Sequence, residues 1–259
     1  MPCEEKRNDP VAHLRHMLEA DAFALFAQPI GAIGARMTYP MAEVLVRLHE
    51  EENAMLPPGE FFPVLEHYGM MPELDRWVVR QALRRLAMGC RIPSLCINLS
   101  AQTLADGSFP AFFADELLAL GLEGDRILFE IEEADAIGVP DCLARFAATV
   151  GSLGAGIIIE SFGRSDDAWE PLKAPCVRYV KLYGSLTRRL LARQPFAEEK
   201  RALLQTACGM GIEVIADFVE ELHALRRLKT LNIGYVQGFG VYQPHPLDSF
   251  GERESQQVA

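Results

Sequence analysis

Eight short apolar runs rich in β-branched and aromatic residues alternate with stretches of helical spacing, and this alternation limits the chain to few folds. Strands separated by helices form a mostly parallel sheet with helices outside it, and eight such units predict an α/β chain folded as a closed (β/α)8 TIM-like barrel. The second run follows the first without a helix between them, so we expect one strand to be antiparallel. The runs are FALFAQPI (23–30), MAEVLVRL (41–48), SLCINLS (94–100), RILFEIEE (126–133), AGIIIESF (155–162), CVRYVKLY (176–183), IEVIADFV (212–219) and YVQGFGV (235–241).

The helical stretches show apolar residues three and four positions apart. The clearest is PELDRWVVRQALRRLA (72–87), with Pro72 near its start and Gly89 after its end, as is typical of helix boundaries. The same spacing predicts further helices over 109–120, 140–153, 195–210 and 220–231.

Composition excludes several classes of protein. A formal charge of −11 disfavours a nucleic-acid partner, because binding a phosphate backbone needs clustered Lys and Arg. The six cysteines form no CxxC pair, so they indicate free thiols rather than a zinc site or a disulfide framework. The N-terminal MPCEEKRNDP has no apolar core, and no run approaches the length of a membrane span. We therefore expect a cytoplasmic protein without a membrane or nucleic-acid partner.

Composition also predicts the domain organisation. No linker or low-complexity tract interrupts the middle of the chain, so we expect one domain over 20–248, an N-terminal extension with a helix over 1–19, and a flexible C-terminal tail over 249–259. The helix at 11–20 carries an apolar stripe. Such a stripe either packs on its own barrel or docks a partner, and the sequence leaves both open.

Polar side chains lie where the predicted strands end. In a barrel of this type the carboxyl ends of the strands meet at one rim, where active sites are built. Carboxylates and an amide oxygen suit Mg²⁺, Mn²⁺ or Ca²⁺, and Lys or Arg suits phosphate oxygens, so the rim points to metal-assisted phosphoester chemistry or its ancestry. The residues are Gln28, Glu43, Arg47, Asn98, Glu130, Glu133, Glu160, Lys181, Asp217, Glu220 and Gln237.

Several of these segments together resemble the EAL domain, the cyclic di-GMP phosphodiesterase family. The resemblance covers about 20–248, in the order AEVLVR (42–47), INLSAQTL (97–104), FEIEEAD (129–135), IESFG (159–163), YVKLYGSL (179–186), VIADFVE (214–220) and YVQGFGVYQPHPL (235–247). It implies a barrel with one antiparallel strand that hydrolyses cyclic di-GMP with two divalent metals.

The resemblance also implies roles for single residues. Lys181 would lie beside the attacking water, Glu133 would steady the loop after the sixth strand, and Leu45, Arg47, Gln28 and Gln237 would contact the dinucleotide. The metal ligands of the family correspond to Glu43, Asn98, Glu130, Glu160 and Asp217.

The departures from the family fall on the catalytic positions. The signature reads EVL, the adjacent Asp-Asp is Glu160-Ser161, and a Glu is shortened to Asp217. Catalytic geometry tolerates errors of about 0.5 Å, whereas one methylene moves a carboxylate by about 1.5 Å. We therefore expect no intact catalytic set and no required cofactor, with room for one weakly bound Mg²⁺ or Ca²⁺ at Glu43, Asn98, Glu130 and Glu160.

Two residue roles stay open at this level. Lys181 either keeps a role beside a metal or simply pairs with Glu160 or Glu130. Phe218, which follows Asp217, either packs in the barrel or offers a platform for a guanine base.

Three functions are consistent with the sequence. The first, which Arg47 and the two glutamines favour, is an inactive barrel that binds cyclic di-GMP as a receptor or regulator. The second is an inactive barrel that acts only through a protein partner, and the third is a very weak phosphodiesterase. The sequence does not identify a protein partner, and a homodimer is open.

Overall fold

The computed structural model describes residues 10–20, 22–49, 55–56, 58–192, 198–221 and 225–251. Within these ranges the elements are, in chain order, α1 (Pro10–Glu19), β1 (Phe23–Ala32), β2 (Thr38–His49), β3 (Met55–Leu56), α2 (Pro58–His67), α3 (Met71–Ala87), β4 (Ser94–Asn98), α4 (Ala101–Ala105), α5 (Phe109–Leu120), β5 (Ile127–Glu132), α6 (Glu133–Gly138), α7 (Pro140–Ser152), β6 (Gly156–Phe162), β7 (Val177–Leu182), α8 (Gly184–Leu191), α9 (Glu198–Gly209), β8 (Glu213–Ala216), α10 (Leu225–Thr230), β9 (Tyr235–Val236) and β10 (His245–Pro246).

Eight of the strands close into a barrel. The order runs β1, β9, β8, β7, β6, β5, β4 and β2, and β2 pairs with β1 to complete the circle. β1 runs antiparallel to both of its barrel neighbours, β2 and β9. All other neighbouring pairs in the barrel are parallel, namely β2–β4, β4–β5, β5–β6, β6–β7, β7–β8 and β8–β9. The predicted (β/α)8-type barrel with one antiparallel strand is therefore confirmed.

The barrel interior is filled in layers by alternate residues of the strands. A lower layer of buried side chains consists of Ile30, Met41, Cys96, Leu128, Ile158 and Ile215, with Tyr179 and Tyr235 packed against it. Because side chains of a strand alternate between its two faces, the residue two positions nearer the carboxyl rim also points inward. That step leads to a polar layer, which comprises Gln28, Glu43, Asn98, Glu130, Glu160, Lys181, Asp217 and Gln237.

The outward faces of the strands pack against the helices. Phe129 of β5 is fully buried and its ring meets those of Phe109, Phe113 and Phe146 from α5 and α7, with centroids 5.1 to 5.9 Å apart. This aromatic cluster holds two helices against the middle of the sheet, and so fixes the strand that carries Glu130.

The predicted strands match the observed ones except at the last strand, whereas several helices differ from the prediction. All eight predicted strands are present, but the last is limited to Tyr235–Val236, because the chain turns at Gly238, whose φ is +147°. The helix predicted from 220 is wrong at its start, since residues 220 and 221 form a loop; residues 222–224 lie outside the described residues. The prediction missed α2, which contains Pro63, and the short helices α4, α6 and α8.

The N-terminal helix α1 packs on its own barrel. Leu14 is buried in the core, and Arg15 forms an ion pair with Glu73 of α3 at 3.1 Å. At the other end, a 3₁₀ turn at Leu247–Phe250 buries Leu247, and residues 252–259 of the predicted tail lie outside the described residues. Of the helices in the described ranges, none has the length and apolarity needed to cross a membrane.

Replacing Phe129 by Ala is expected to lower the free energy of unfolding by about 3–5 kcal/mol, since it removes a fully buried ring from the aromatic cluster. Urea denaturation followed by circular dichroism measures this change. Leu118→Ala on α5 is the matched control, because that side chain is 82% exposed and its loss should change stability by no more than about 0.5 kcal/mol. Equal effects of the two changes would contradict the packing described.

Candidate functional site

The polar layer at the carboxyl rim contains a buried lysine surrounded by glutamates. Lys181 of β7 is 0% exposed, and its Nζ donates to Glu130 Oε2 at 2.7 Å and to Glu43 Oε2 at 3.0 Å. Glu160 Oε1 lies 3.5 Å from the same nitrogen. The structure thus shows the second of the two alternatives that the sequence left open for Lys181, namely pairing with Glu160 or Glu130.

Glu43 receives more donors than its neighbours. Its Oε1 accepts from Asn98 Nδ2 at 2.9 Å, and its Oε2 accepts from Gln237 Nε2 at 2.7 Å in addition to Lys181. Gln237 Nε2 also donates to Gln28 Oε1 at 3.2 Å, and Gln28 Nε2 donates to the carbonyl oxygen of Tyr242 at 3.0 Å. With the bond from Lys181 to Glu130, one network of hydrogen bonds therefore connects six of the predicted site residues.

The three glutamates differ in charge because they differ in donors. Burial raises the pKa of Glu43, but Lys181, Asn98 and Gln237 outweigh it and hold that pKa below its ordinary value. Burial raises the pKa of Glu130 well above its ordinary value, because only Lys181 opposes it while Glu43 and Glu160 add to it. Burial likewise raises the pKa of Glu160 to about 6. Glu43 is therefore the most firmly ionised of the three.

Lys181 and Asp217 complete the charge pattern. Burial disfavours the Lys181 ammonium, but Glu130, Glu43 and Glu160 outweigh burial and raise its pKa well above the ordinary value. Burial raises the pKa of Asp217, and Asp217 Oδ1 accepts from the backbone N–H of Phe218 at 2.7 Å. One of the two carboxylate oxygens of Asp217 is thus already occupied by a backbone hydrogen bond within its own loop.

The site offers carboxylate oxygens of the kind that a hard cation binds. Glu43, Glu130 and Glu160, which we call the carboxylate cluster, each offer an oxygen, and these three oxygens lie within 4.8 Å of one another. Glu130 Oε1 is buried without a hydrogen-bond partner, so one acceptor is left for an ion. A second divalent ion close by would need further anionic ligands to offset repulsion, and Ser161, which follows Glu160 and lines the same cavity, is neutral.

A cavity of about 480 Å³ opens over the cluster and carries two exposed aromatic rings at its mouth. Phe218 is 56% exposed and Phe239 is 70% exposed. We call this the first cavity; it is lined by Gln28, Glu43, Glu132, Glu160, Ser161, Leu182, Tyr183, Gly184, Asp217, Phe218, Glu220, Gln237, Gly238 and Phe239.

Phe218 is held in a strained backbone conformation. Its φ is +56°, in the left-handed region, which costs a non-glycine residue about 1–3 kcal/mol and persists mainly at functional sites. The ring packs against Gly184, where a Cβ would come within 2.5 Å of Phe218 Cδ2. The ring is thus half-exposed at the cavity, and its role as a platform for a guanine base stays a prediction.

Phe239 lies on a loop that packs tightly against the loop carrying Phe218. Val219 N donates to Gln237 O at 2.9 Å, and Gly240 N donates to Val219 O at 3.1 Å. A Cβ at Gly238 would collide with the backbone of Val219, so only glycine allows this approach. The backbones of the two loops that carry Phe218 and Phe239 are therefore held against each other.

A second cavity of about 410 Å³ adjoins the first. The two share Glu43, Glu132 and Glu160, and the second cavity extends towards Leu45, Phe62 and Met71. Together they offer a bipartite groove whose middle lies over the carboxylate cluster.

Arg47 was predicted to contact the ligand, but it lies outside both cavities. Its Nη1 donates to the carbonyl oxygen of Val46 at 2.8 Å, and its guanidinium lies 5.9 Å from the ring centroid of Phe26. Leu45 lines the second cavity, whereas Arg47 lines neither of the two. Partial burial lowers the pKa of Arg47 and Glu43 opposes this, so the guanidinium is within electrostatic reach of the cluster.

Glu133 holds the loop that follows β6. Its two carboxylate oxygens accept from the backbone N–H groups of Gly163 and Ser165, both at 2.6 Å. This contact matches the role that the resemblance implied for Glu133, and it fixes the backbone next to Glu160 and Ser161.

The lining residues that the sequence analysis did not single out include Glu132 and Phe239. Glu132 directly precedes Glu133, and no local pattern marks it as a lining residue. The segment GFG (238–240) was assigned to the end of the last predicted strand, although an aromatic residue between two glycines was a usable signal for an exposed ring on a constrained turn.

Comparison with known proteins gives a family and close structural relatives. The sequence pattern of the EAL domain matches residues 11–244. The cyclic di-GMP phosphodiesterase PdeB of Shewanella oneidensis is 27% identical over 259 residues, which cover 98% of this chain and 30% of the relative. The cyclic di-GMP phosphodiesterase PdeF of Escherichia coli is 26% identical, covering 98% of this chain and 34% of that protein. The chain thus spans about a third of the length of these relatives.

Solved structures show the same fold. The EAL domain of FimX from Pseudomonas aeruginosa, bound to c-di-GMP, superposes with a TM-score of 0.81 at 26% identity, covering 92% of this chain and 96% of that one. The FimX EAL domain of Xanthomonas citri, in complex with c-diGMP, superposes with a TM-score of 0.84 at 24% identity, covering 98% and 99%.

Replacing Glu133 by Ala is expected to loosen the loop after β6, because two backbone N–H groups lose their acceptor, at a cost of about 1–3 kcal/mol. Hydrogen exchange followed by mass spectrometry should show faster exchange in peptides that cover 163–167. Glu132→Ala is the matched control, since its carboxylate makes only a 3.9 Å contact with Arg164. Unchanged exchange in the Glu133 variant would contradict this role.

Proposed function

The chain is a member of the EAL domain family, and from this premise we propose that it is a catalytically inactive EAL protein that binds cyclic di-GMP as a receptor or regulator. The observation that carries the proposal is the combination of a carboxylate cluster flanked by the neutral Ser161 with an intact bipartite groove beside it. On this proposal the residues needed for hydrolysis are incomplete, whereas the groove that accepts the ligand is retained.

Loss of hydrolysis follows from charge. Divalent metal, when bound, supplies the positive charge that activates water and stabilises a phosphoester transition state. In this chain Ser161 contributes no charge, Asp217 hydrogen-bonds its own loop, and Lys181 is held by the carboxylate cluster. Lys181 and Glu133 are remnants: the first neutralises glutamates and the second positions a loop.

Binding is supported by the aromatic mouth of the first cavity. Each nucleobase offers a π-face, and stacking on an aromatic side chain contributes about 1–3 kcal/mol per base. Phe218 and Phe239 present such rings on loops whose backbones are held against each other, and the acidic lining offers acceptors to the N–H groups of a guanine edge. The FimX EAL domain bound to c-di-GMP, 26% identical to this chain, is consistent with this ligand.

The phosphates of the ligand would lie at the centre of the groove and contact Arg47. Arg47 offers a planar fork to phosphate oxygens, a contact that needs no metal. Gln28 and Gln237, at the floor of the first cavity, are positioned to contact the ligand, and Leu45 gives the second cavity an apolar wall. Arg47 must leave its contact with Val46 to take part.

The acidic lining favours one alternative. Glu132, Glu160, Asp217 and Glu220 face the first cavity, and their charges oppose an anionic dinucleotide. If this repulsion prevails, the barrel acts only through contacts with a protein partner, and a very weak phosphodiesterase is the remaining alternative.

The cysteines in the described ranges are free thiols, which supports action in the reducing cytoplasm.

Hydrolysis of cyclic di-GMP is expected to be at least about a thousand-fold slower than by an intact family member, because losing preorganised charge worth about 4 kcal/mol costs that factor. Chromatography of the linear product in Mg²⁺ or Mn²⁺ measures the rate. Glu43→Gln is the control and should not lower the residual rate further. Linear product formed at ordinary enzyme rates would refute the proposal of inactivity.

Titration calorimetry with cyclic di-GMP is expected to show micromolar binding to the wild type. Phe218→Ala should weaken binding about 5- to 100-fold through lost stacking, and Arg47→Ala by about tenfold or more through a lost charge-assisted contact. Tyr68→Ala, in the exposed turn after α2, and Arg84→Ala, at an exposed position on α3, are the matched controls and should bind as the wild type does. No heat at high micromolar ligand, or unchanged affinity in both site variants, would favour the protein-contact alternative.

A further inference from the structure

The outer face of the barrel has no crossover helix beside β1 and β2. Because β1 leads into β2 through residues 33–37, the chain forms no helix between these two strands. The segment that follows β9 packs there instead: β10 pairs with β1, and the turn at Leu247–Phe250 lies against the same strand. Such a segment fills less space than a helix about 10–12 Å wide, and a cavity of about 490 Å³ remains beside it.

This third cavity is separate from the groove at the carboxyl rim. It shares no lining residue with the first or the second cavity. Its volume lies within the range of small-molecule sites, about 300–1,000 Å³. The third cavity is lined by Pro29, Tyr39, Met41, Ala42, Arg91, Ile92, Tyr242, His245, Ser249 and Phe250.

Four ring-bearing side chains meet at the wall of the third cavity. The ring of Tyr242 is edge-on to Tyr39 and to His245, with centroids 5.4 and 5.6 Å apart, and the ring of Phe250 lies 6.3 Å from it. Tyr39 is 38% exposed, so part of this aromatic surface is open to a ligand. A planar ring can stack on such a surface with little regard to its own hydrogen-bonding pattern.

Arg91 gives the third cavity a positive charge. Its backbone N–H donates to Phe250 O at 2.9 Å, which holds this part of the chain beside the aromatic wall. In the part of the chain that the structure describes, no carboxylate forms an ion pair with Arg91, whereas the nearby Arg85 pairs with Asp248 at 2.7 Å. None of the lining residues carries a carboxylate, in contrast to the acidic lining of the first cavity.

An aromatic wall with one arginine beside it suits a planar ring that carries an anionic group. A guanidinium is planar and always charged, and it forms paired N–H contacts with phosphate oxygens. A nucleoside monophosphate combines a stacking base and a phosphate in a molecule of a size that such a cavity accepts.

We propose that the third cavity is a second ligand site, which binds a nucleoside monophosphate with its base against Tyr39 and Tyr242 and its phosphate at Arg91. The site uses no residue of the first two cavities, so the inference does not depend on the proposed function.

The direct test is equilibrium dialysis of the full chain with AMP, whose base lacks the guanine edge proposed for the first cavity. AMP should bind saturably. Adenosine lacks the phosphate and ribose 5-phosphate lacks the base, so each should bind at least about tenfold more weakly than AMP. No binding at millimolar AMP would overturn the proposal, as would equal affinities for AMP and adenosine.

Variants at exposed or partly exposed positions locate the bound AMP. Arg91→Ala should weaken binding about tenfold or more, and Tyr39→Ala about 5- to 100-fold, whereas Tyr39→Phe keeps the ring and should bind as the wild type does. Phe218→Ala, in the first cavity, is the matched control and should bind AMP unchanged. Melting temperatures check that each variant is folded. Weaker binding in the Phe218 variant with unchanged binding in Arg91→Ala would place AMP in the first cavity and overturn the proposal.

Two further measurements separate the remaining outcomes. AMP should slow hydrogen exchange in peptides covering 39–42 and 242–250, and slowing confined to other peptides would contradict the site. A variant that ends at Gly251 should bind AMP as the full chain does; markedly tighter binding would identify residues 252–259 as the native occupant and overturn the proposal. Cyclic di-GMP is titrated separately, because its failure to bind contradicts the receptor and leaves the AMP result to decide the third cavity.

Discussion

The ion contacts of Lys181 with Glu43 and Glu130 are the constraint on which the rest of the site depends. Burying a charge is costly unless it is paired and hydrogen-bonded, and removing one partner of such a set leaves an uncompensated charge in the interior. The barrel meets this requirement by placing an acceptor on each of three different strands around one donor. Asn98 and Gln237 then fix Glu43, and through Gln28 the network reaches the backbone of Tyr242.

The barrel separates stability from function along its axis. The lower layer of Ile30, Met41, Leu128 and their neighbours is apolar and closed, whereas two residues further along each strand the interior turns polar. Because the period of a strand is two, a one-residue shift in register would turn these polar side chains to the opposite face of the sheet. The apolar layer beneath also lowers the local dielectric, which strengthens the contacts of the cluster and shifts the pKa of Glu130 upwards.

The loops above the rim decide which molecule can use the groove. Phe218 is in a strained conformation against Gly184, and Gly238 lets the loop of Phe239 pack on Val219. Loops held in this way lose little backbone freedom when a ligand binds against them. The acidic lining opposes bare anions and offers acceptors to N–H donors.

The sequence by itself determined the eight strands, the single antiparallel strand and the identity of the polar layer, because strand periodicity and the lack of a helix between the first two runs are local patterns. It also indicated that position 161 contributes no charge to the rim, because serine is neutral, which is a matter of residue type. Only the tertiary structure decided what Lys181 touches, since its partners come from strands 51 and 138 residues away and their distances depend on barrel closure. The same holds for Arg47, which lies over Phe26 outside both cavities, and for Phe239, whose exposure follows from how two distant loops pack; such contacts depend on packing between segments, which no local pattern encodes.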